Sequence, residues 1–205
     1  MSLGKLRLLL LAIVLGAGVA KADTVTVQLQ DVNGASNNGY YIDPYYAKVN
    51  GDRTTVWCVD FKHEVWRGDQ WQANVTRIAD GSDYRRTNLF GAYGGQTATI
   101  YKEMVWLIMN YNQDAISAQW VIWDLSMNAL GANAAGHANY YSLLNLATAN
   151  APGLNTNGWS ILTNVNLCQP NHWQEFVVTP EPGTMLLLGT GLIGLGAFMR
   201  RRKRV

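Results

Sequence analysis

The residues that could do chemistry are few. Cys58 sits in an apolar, strand-like context, Trp57-Cys58-Val59-Asp60, and the second cysteine, Cys168, follows far downstream. In an oxidising compartment two cysteines read as one disulfide. A Cys58–Cys168 bridge would close a loop of about 110 residues, worth ~4–5 kcal/mol if disulfides act mainly on unfolded-chain entropy. The other notable residue is Gln119, in the stretch SAQWVIWDL at 117–125. Read as a helix, this stretch has an apolar stripe of Ile116, Gln119, Ile122 and Trp123, with a glutamine where an aliphatic residue belongs. A buried amide without a partner costs about 1–3 kcal/mol. Either Gln119 satisfies a buried backbone group, or its amide carbon is an electrophile.

Other chemistries find less support. His63, His137 and His172 are far apart and lack metal-ligand spacing, so no metal and no cofactor is expected. GAYGG at 91–95 is a glycine-rich loop without the lysine of a phosphate-binding loop, and no nucleophile elbow is present. Asp60, Glu64 and Asp69 read as surface carboxylates, among which a glycosidase pair is the remaining hydrolytic option.

The elements that would position Cys58 and Gln119 follow from periodicity. TVTVQLQ at 24–30 alternates apolar and polar residues, and strand-like segments recur at 45–49, 54–61 and 70–78, each bounded by Gly, Asp or Asn. Residues 33–39 read as a turn-rich loop. From Thr97 the apolar spacing becomes helical through Ile100, Met104, Leu107, Ile108 and Tyr111, with Thr97 or Thr99 as N-cap. Helical stretches at 115–127 and 138–149 come next, and strand-like sequence returns at 160–167 and 173–178. The expected fold is α+β: a β-rich, sheet or sandwich-like domain with an inserted helical segment.

The chain ends read as addresses rather than as parts of that fold. Residues 1–22 have the order of a signal peptide: Lys5 and Arg7, an apolar run from Leu8 to Val19, then Ala20-Lys21-Ala22 as the signal peptidase cleavage pattern. Residues 180–205 begin with Pro180-Glu181-Pro182 and continue as the 16-residue apolar run Thr184 to Met199. Arg200, Arg201, Arg202, Lys203 and Arg204 close it. The run is near the lower limit for a single transmembrane helix, and the basic cluster would stay cytoplasmic. Between the ends, residues 23–179 hold eight Lys/Arg against thirteen Asp/Glu, a balance of −5, so no nucleic-acid partner is expected. All eight tryptophans fall in this segment and supply core material.

Two resemblances follow from these residues. Pro180-Glu181-Pro182, a short apolar helix and a terminal basic stop resemble the PEP-CTERM sorting signal. That resemblance implies recognition and processing by an exosortase, in Gram-negative bacteria that make extracellular polysaccharide. It also implies an inner-membrane anchor before processing, with the cell surface or biofilm matrix as destination. The same tail also serves as a family label, the ice-binding protein C-terminal domain. Trp57-Cys58-Val59, a helix, then Ala118-Gln119-Trp120-Val121-Ile122-Trp123 resembles the thioester domain of bacterial surface adhesins. It departs from that family in having Ala118 where a Thr-like residue often precedes the glutamine, in its Gram-negative type of tail and in its extra Cys168. This second resemblance implies an internal thioester between Cys58 and Gln119, shielded by aromatics such as Trp57 and Trp123. An amine or hydroxyl on a surface or glycan partner would open it, in a single event without enzymatic turnover. The alternative is a non-covalent glycan-, matrix- or ice-binding protein stapled by Cys58–Cys168.

Overall fold

A computed structural model describes residues 24–42, 44–79, 83–110, 114–127, 137–167 and 173–179. The expected signal peptide, with Ala20 and Ala22, lies outside the described residues. So do Cys168, the sorting motif Pro180–Pro182, the apolar run and the basic cluster Arg200–Arg204. Among the described residues no helix is long and apolar enough to cross a membrane.

Among the described residues eight strands form: β1 (Thr24–Val32), β2 (Ser36–Asn37), β3 (Tyr40–Tyr41), β4 (Tyr45–Val49), β5 (Asp52–Cys58), β6 (Gln70–Arg77), β7 (Ser160–Asn164) and β8 (Phe176–Val178). Six of them close into an antiparallel barrel in the order β1-β4-β5-β8-β7-β6, with β6 pairing back onto β1. The expected strands are present, but the sheet is closed where an open or sandwich-like one was anticipated. Alternation reports which residues face inward, whereas closure depends on strand tilt and stagger, which single-strand patterns do not encode.

Alternation explains the barrel interior. Val25, Val27 and Leu29 of β1 point in, as do Val56 and Cys58 of β5 and Trp71 and Ala73 of β6. The β4–β5 hairpin turns at Asn50-Gly51, both with positive φ (52° and 94°), as a two-residue type I′ turn requires. A second such turn, Asn38-Gly39 (φ 53° and 84°), joins β2 to β3 inside the segment expected to be loop.

The helices are inserted between β6 and β7: α1 (Phe90–Tyr93), α2 (Thr97–Met109), α3 (Ala115–Met127) and α4 (Tyr140–Asn150). They pack on the outer face of the barrel wall through Trp57, Ile161 and Val177 and form a second apolar cluster around Tyr101, Leu107, Val121 and Ile122. In β7 every residue is buried, because one face meets the barrel interior and the other meets the helices. In α3 every residue from Ser117 to Ser126 is buried, so this helix has no solvent face. Ile116, read from the sequence as part of the stripe, is the exposed end of it.

Candidate functional site

The barrel and the helical layer meet at the end of β5. Its alternation carries Val56 and Cys58 inward and Trp57 outward, so the Cys58 side chain closes the barrel core where α3 crosses. From α3, Gln119 enters the same seam and is 1% exposed. Its Nε2 donates to the Cys58 carbonyl oxygen at 3.0 Å. A carbonyl only accepts, so this bond fixes which end of the carboxamide faces Cys58: the NH₂. Two residues 61 positions apart are therefore in direct contact, one on a strand and one on a helix.

Cys58 is buried, and among the described residues it is bonded to no other cysteine. Its Sγ–H donates to the Asp60 carbonyl at 3.2 Å. Burial pushes the thiol up to about 12, and the Asp60 and Glu175 carboxyls push the same way. The Asp60 carbonyl and the Trp123 side chain act in the opposite direction.

Trp123 lies one turn beyond Gln119 on α3, hence on the same helix face. It is 2% exposed and its ring belongs to an aromatic cluster over the seam. Ring centroids lie 5.1 Å from Phe61, 5.2 Å from Trp120 and 5.8 Å from Tyr40. Tyr40 comes from the short β2–β3 hairpin and is 47% exposed. That hairpin is tied to α3 by Trp120 Nε1 donating to Asn37 Oδ1 at 3.0 Å. The expected partner in shielding, Trp57, points the other way and packs against Trp159 with centroids 6.1 Å apart. Neighbouring strand residues face opposite sides, so Trp57 and Cys58 cannot share a face.

Asp60 is not the surface carboxylate expected from the sequence: it is buried. His63 Nδ1 lies 2.5 Å from its Oδ2, Asn88 Nδ2 donates to that oxygen at 2.7 Å, and the Lys62 amide donates to Oδ1 at 2.9 Å. A cavity of about 430 Å³ borders this turn, lined by Asp60, His63, Arg85, Asn88 and Ser126 among others. Glu64 is exposed and Asp69 accepts from the Trp66 amide at 2.7 Å, so of the three acids Asp60 alone is buried.

Sequence reasoning passed over Glu175, which is fully buried beside this seam. Its backbone carbonyl accepts from the Val59 amide at 3.1 Å. Its carboxyl accepts from Tyr101 Oη, Thr163 Oγ1 and the Asn88 amide. Burial raises it to about 7 despite those donors. A lone acid between Trp173 and the apolar run of β8 was the available signal. Tyr40, Phe61 and Trp120 were also missed as one cluster, because it assembles from three distant segments. Among the described residues no group of His, Cys, Asp and Glu is arranged to hold a metal ion.

Comparison with curated proteins gives no match, and comparison with solved structures gives none. Residues 178–203 match the family model of the PEP-CTERM protein-sorting motif, as the proline-acid-proline, apolar and basic order had implied. The chain thus carries an exosortase sorting signal and is an exported protein, anchored transiently in the membrane before processing.

Proposed function

We propose that the exported domain, residues 23–179, forms an internal thioester between Cys58 and Gln119. It would use this bond once, to attach covalently to a partner at the cell surface or in the extracellular matrix. The observation that carries the reading is the 3.0 Å hydrogen bond from Gln119 Nε2 to the Cys58 carbonyl. It holds the carboxamide against the residue whose sulfur would attack it, with both side chains on regular elements. An unactivated amide is a poor acyl donor, so such positioning is what the reaction needs most.

In the forming step Sγ of Cys58 bonds to Cδ of Gln119, and the Cδ–Nε2 bond breaks. The thiol proton leaves with the nitrogen as ammonia. In the transfer step a partner's amine or hydroxyl bonds to Cδ, the Cδ–Sγ bond breaks, and the acceptor's proton returns to sulfur. The product is an amide or ester through Gln119. Nothing regenerates the starting carboxamide, so the protein is an adhesin-like reagent rather than an enzyme. The aromatic cluster of Tyr40, Phe61, Trp120 and Trp123 would keep water from the acyl group until a partner arrives.

The test is labelling with methylamine. The peptide containing Gln119 is expected to gain about 14 Da, the mass of a methylamide over the free amide. The label should be absent in Cys58→Ala. A wild-type Gln119 that takes no label would overturn the reading.

A further inference from the structure

The thioester reading leaves a physical difficulty at sulfur. A thiol whose ionisation is suppressed by burial is a weak nucleophile in the forming step and a poor leaving group in the transfer step. Negative charge develops on the Cys58 sulfur in both, inside an apolar seam with two carboxyl groups nearby. Something in the seam must favour that charge.

One group there has a donor available. Trp123 Nε1 is fully buried and has no acceptor in full hydrogen-bond geometry among the described residues. Its side chain acts on Cys58 in the direction that favours the thiolate. The N–H thus faces the sulfur at the margin of a hydrogen bond, short of full geometry, while the thiol's own proton is directed to the Asp60 carbonyl. Trp71 also carries a buried indole N–H without an acceptor, so an orphan indole alone decides nothing. What distinguishes Trp123 is its place one helical turn from Gln119 and beside the one described thiol.

We infer that Trp123 Nε1–H is a catalytic hydrogen-bond donor to the Cys58 sulfur, short of full hydrogen-bond geometry in the resting thiol and engaged when the sulfur carries negative charge. This rests on the thioester reading and extends it from shielding to chemistry. A donor already in place needs no reorganisation when charge appears, which is why such groups are effective in dry sites. In the forming step the donor stabilises the attacking thiolate. In the transfer step it stabilises the departing one, before the acceptor's proton reaches it.

Shielding and donation predict opposite signs. If Trp123 only excludes water and amines, weakening it speeds opening of the thioester. If it donates, removing the N–H slows opening. The experiment measures methylamine opening of the full chain by intact mass, comparing wild type with Trp123→Phe and Phe61→Leu. Phe61→Leu loosens the same aromatic cluster and keeps the donor. The expected result is opening slowed at least tenfold in Trp123→Phe, and unchanged or faster in Phe61→Leu. Where Trp123→Phe fails to fold, 3-benzothienylalanine at position 123 keeps the bicyclic shape and removes only the N–H, with the same slowing expected. Opening at the wild-type rate or faster in the folded variant overturns the role of Trp123 and leaves the thioester standing. A wild-type chain with no thioester overturns both.

Discussion

Two buried polar sites lie against each other where the barrel meets the helices, and they are finished differently. Around Glu175 every donor has an acceptor: Tyr101 Oη, Thr163 Oγ1 and the Asn88 amide all reach its carboxyl. Around Cys58 and Gln119 the Gln119 amide donates to the Cys58 carbonyl at 3.0 Å and the thiol to the Asp60 carbonyl at 3.2 Å, but among the described residues the Trp123 indole N–H has no acceptor in full hydrogen-bond geometry. The first arrangement ties barrel strand β7 to helix α2 and to the loop before α1, and reads as structural cement. The second tolerates an orphan donor that costs about 1–3 kcal/mol when buried. Trp71 bears the same expense with no reaction beside it, whereas next to Cys58 the donor has a use in a reaction that develops charge on sulfur. The difference teaches that burial alone does not separate structural from reactive polar groups; an unpartnered donor becomes informative where, as at Trp123 and unlike Trp71, it stands beside a group that develops charge.

The comparison can be broken most forcefully at Glu175. Replacing it by leucine strands two buried donors and one part-buried one, and the expected loss is about 3 kcal/mol, read as a lower midpoint in urea unfolding. Gln119→Ala removes the bond to the Cys58 carbonyl, for which about 1–2 kcal/mol is expected by the same measurement, together with complete loss of methylamine labelling. If Gln119→Ala proved the more destabilising of the two, the assignment of roles would be reversed.

A pH series sharpens the same contrast. The folded-state pKa of Glu175 is raised from 4.5 to about 7, so the folded chain holds this proton more tightly than the unfolded chain. Its contribution to stability is full below about pH 4.5 and is lost as pH rises through about 7. At 1.36 kcal/mol per unit the loss is of order 3 kcal/mol. The difference in unfolding free energy between wild type and Glu175→Gln, followed from pH 5 to pH 8, should shrink or change sign over that window. A difference that stays constant with pH would place the carboxyl's pKa elsewhere.

The outer shield supplies the smallest effects. Tyr40→Ala removes the exposed ring of the cluster, and a several-fold faster hydrolysis of the thioester is expected, at a stability loss of about 1 kcal/mol. Trp57→Phe, on the other face of β5, should leave the hydrolysis rate unchanged. If the two substitutions accelerated hydrolysis equally, the facing inferred from strand alternation would be wrong.

Much of this fold was legible. The strands at 24–32, 45–49, 52–58 and 70–77 and the helices at 97–109, 115–127 and 140–150 follow from apolar periodicity and its change near Thr97. Gln119 stood out in the sequence because it breaks a stripe, and Cys58 was set beside it through the resemblance to thioester domains; the fold brings the two into contact. What escaped the sequence depends on contacts between distant segments. Barrel closure joins β6 back to β1. The shield draws Tyr40 from a hairpin, Phe61 from a loop and Trp120 from a helix. Asp60 looked like a surface acid because its three donors, His63, Asn88 and the Lys62 amide, become visible only once the chain folds over it. Trp57 was misplaced for a nearer reason: adjacency in a strand means opposite faces.

The most direct measurement is the intact mass of the full chain, purified without reductant. Internal acylation expels ammonia, so a deficit of about 17 Da is expected in the wild type and none in Cys58→Ala or Gln119→Ala. A deficit of about 2 Da would instead reveal a Cys58–Cys168 disulfide. That result, or no deficit at all, would contradict the account and make Gln119 a structural amide.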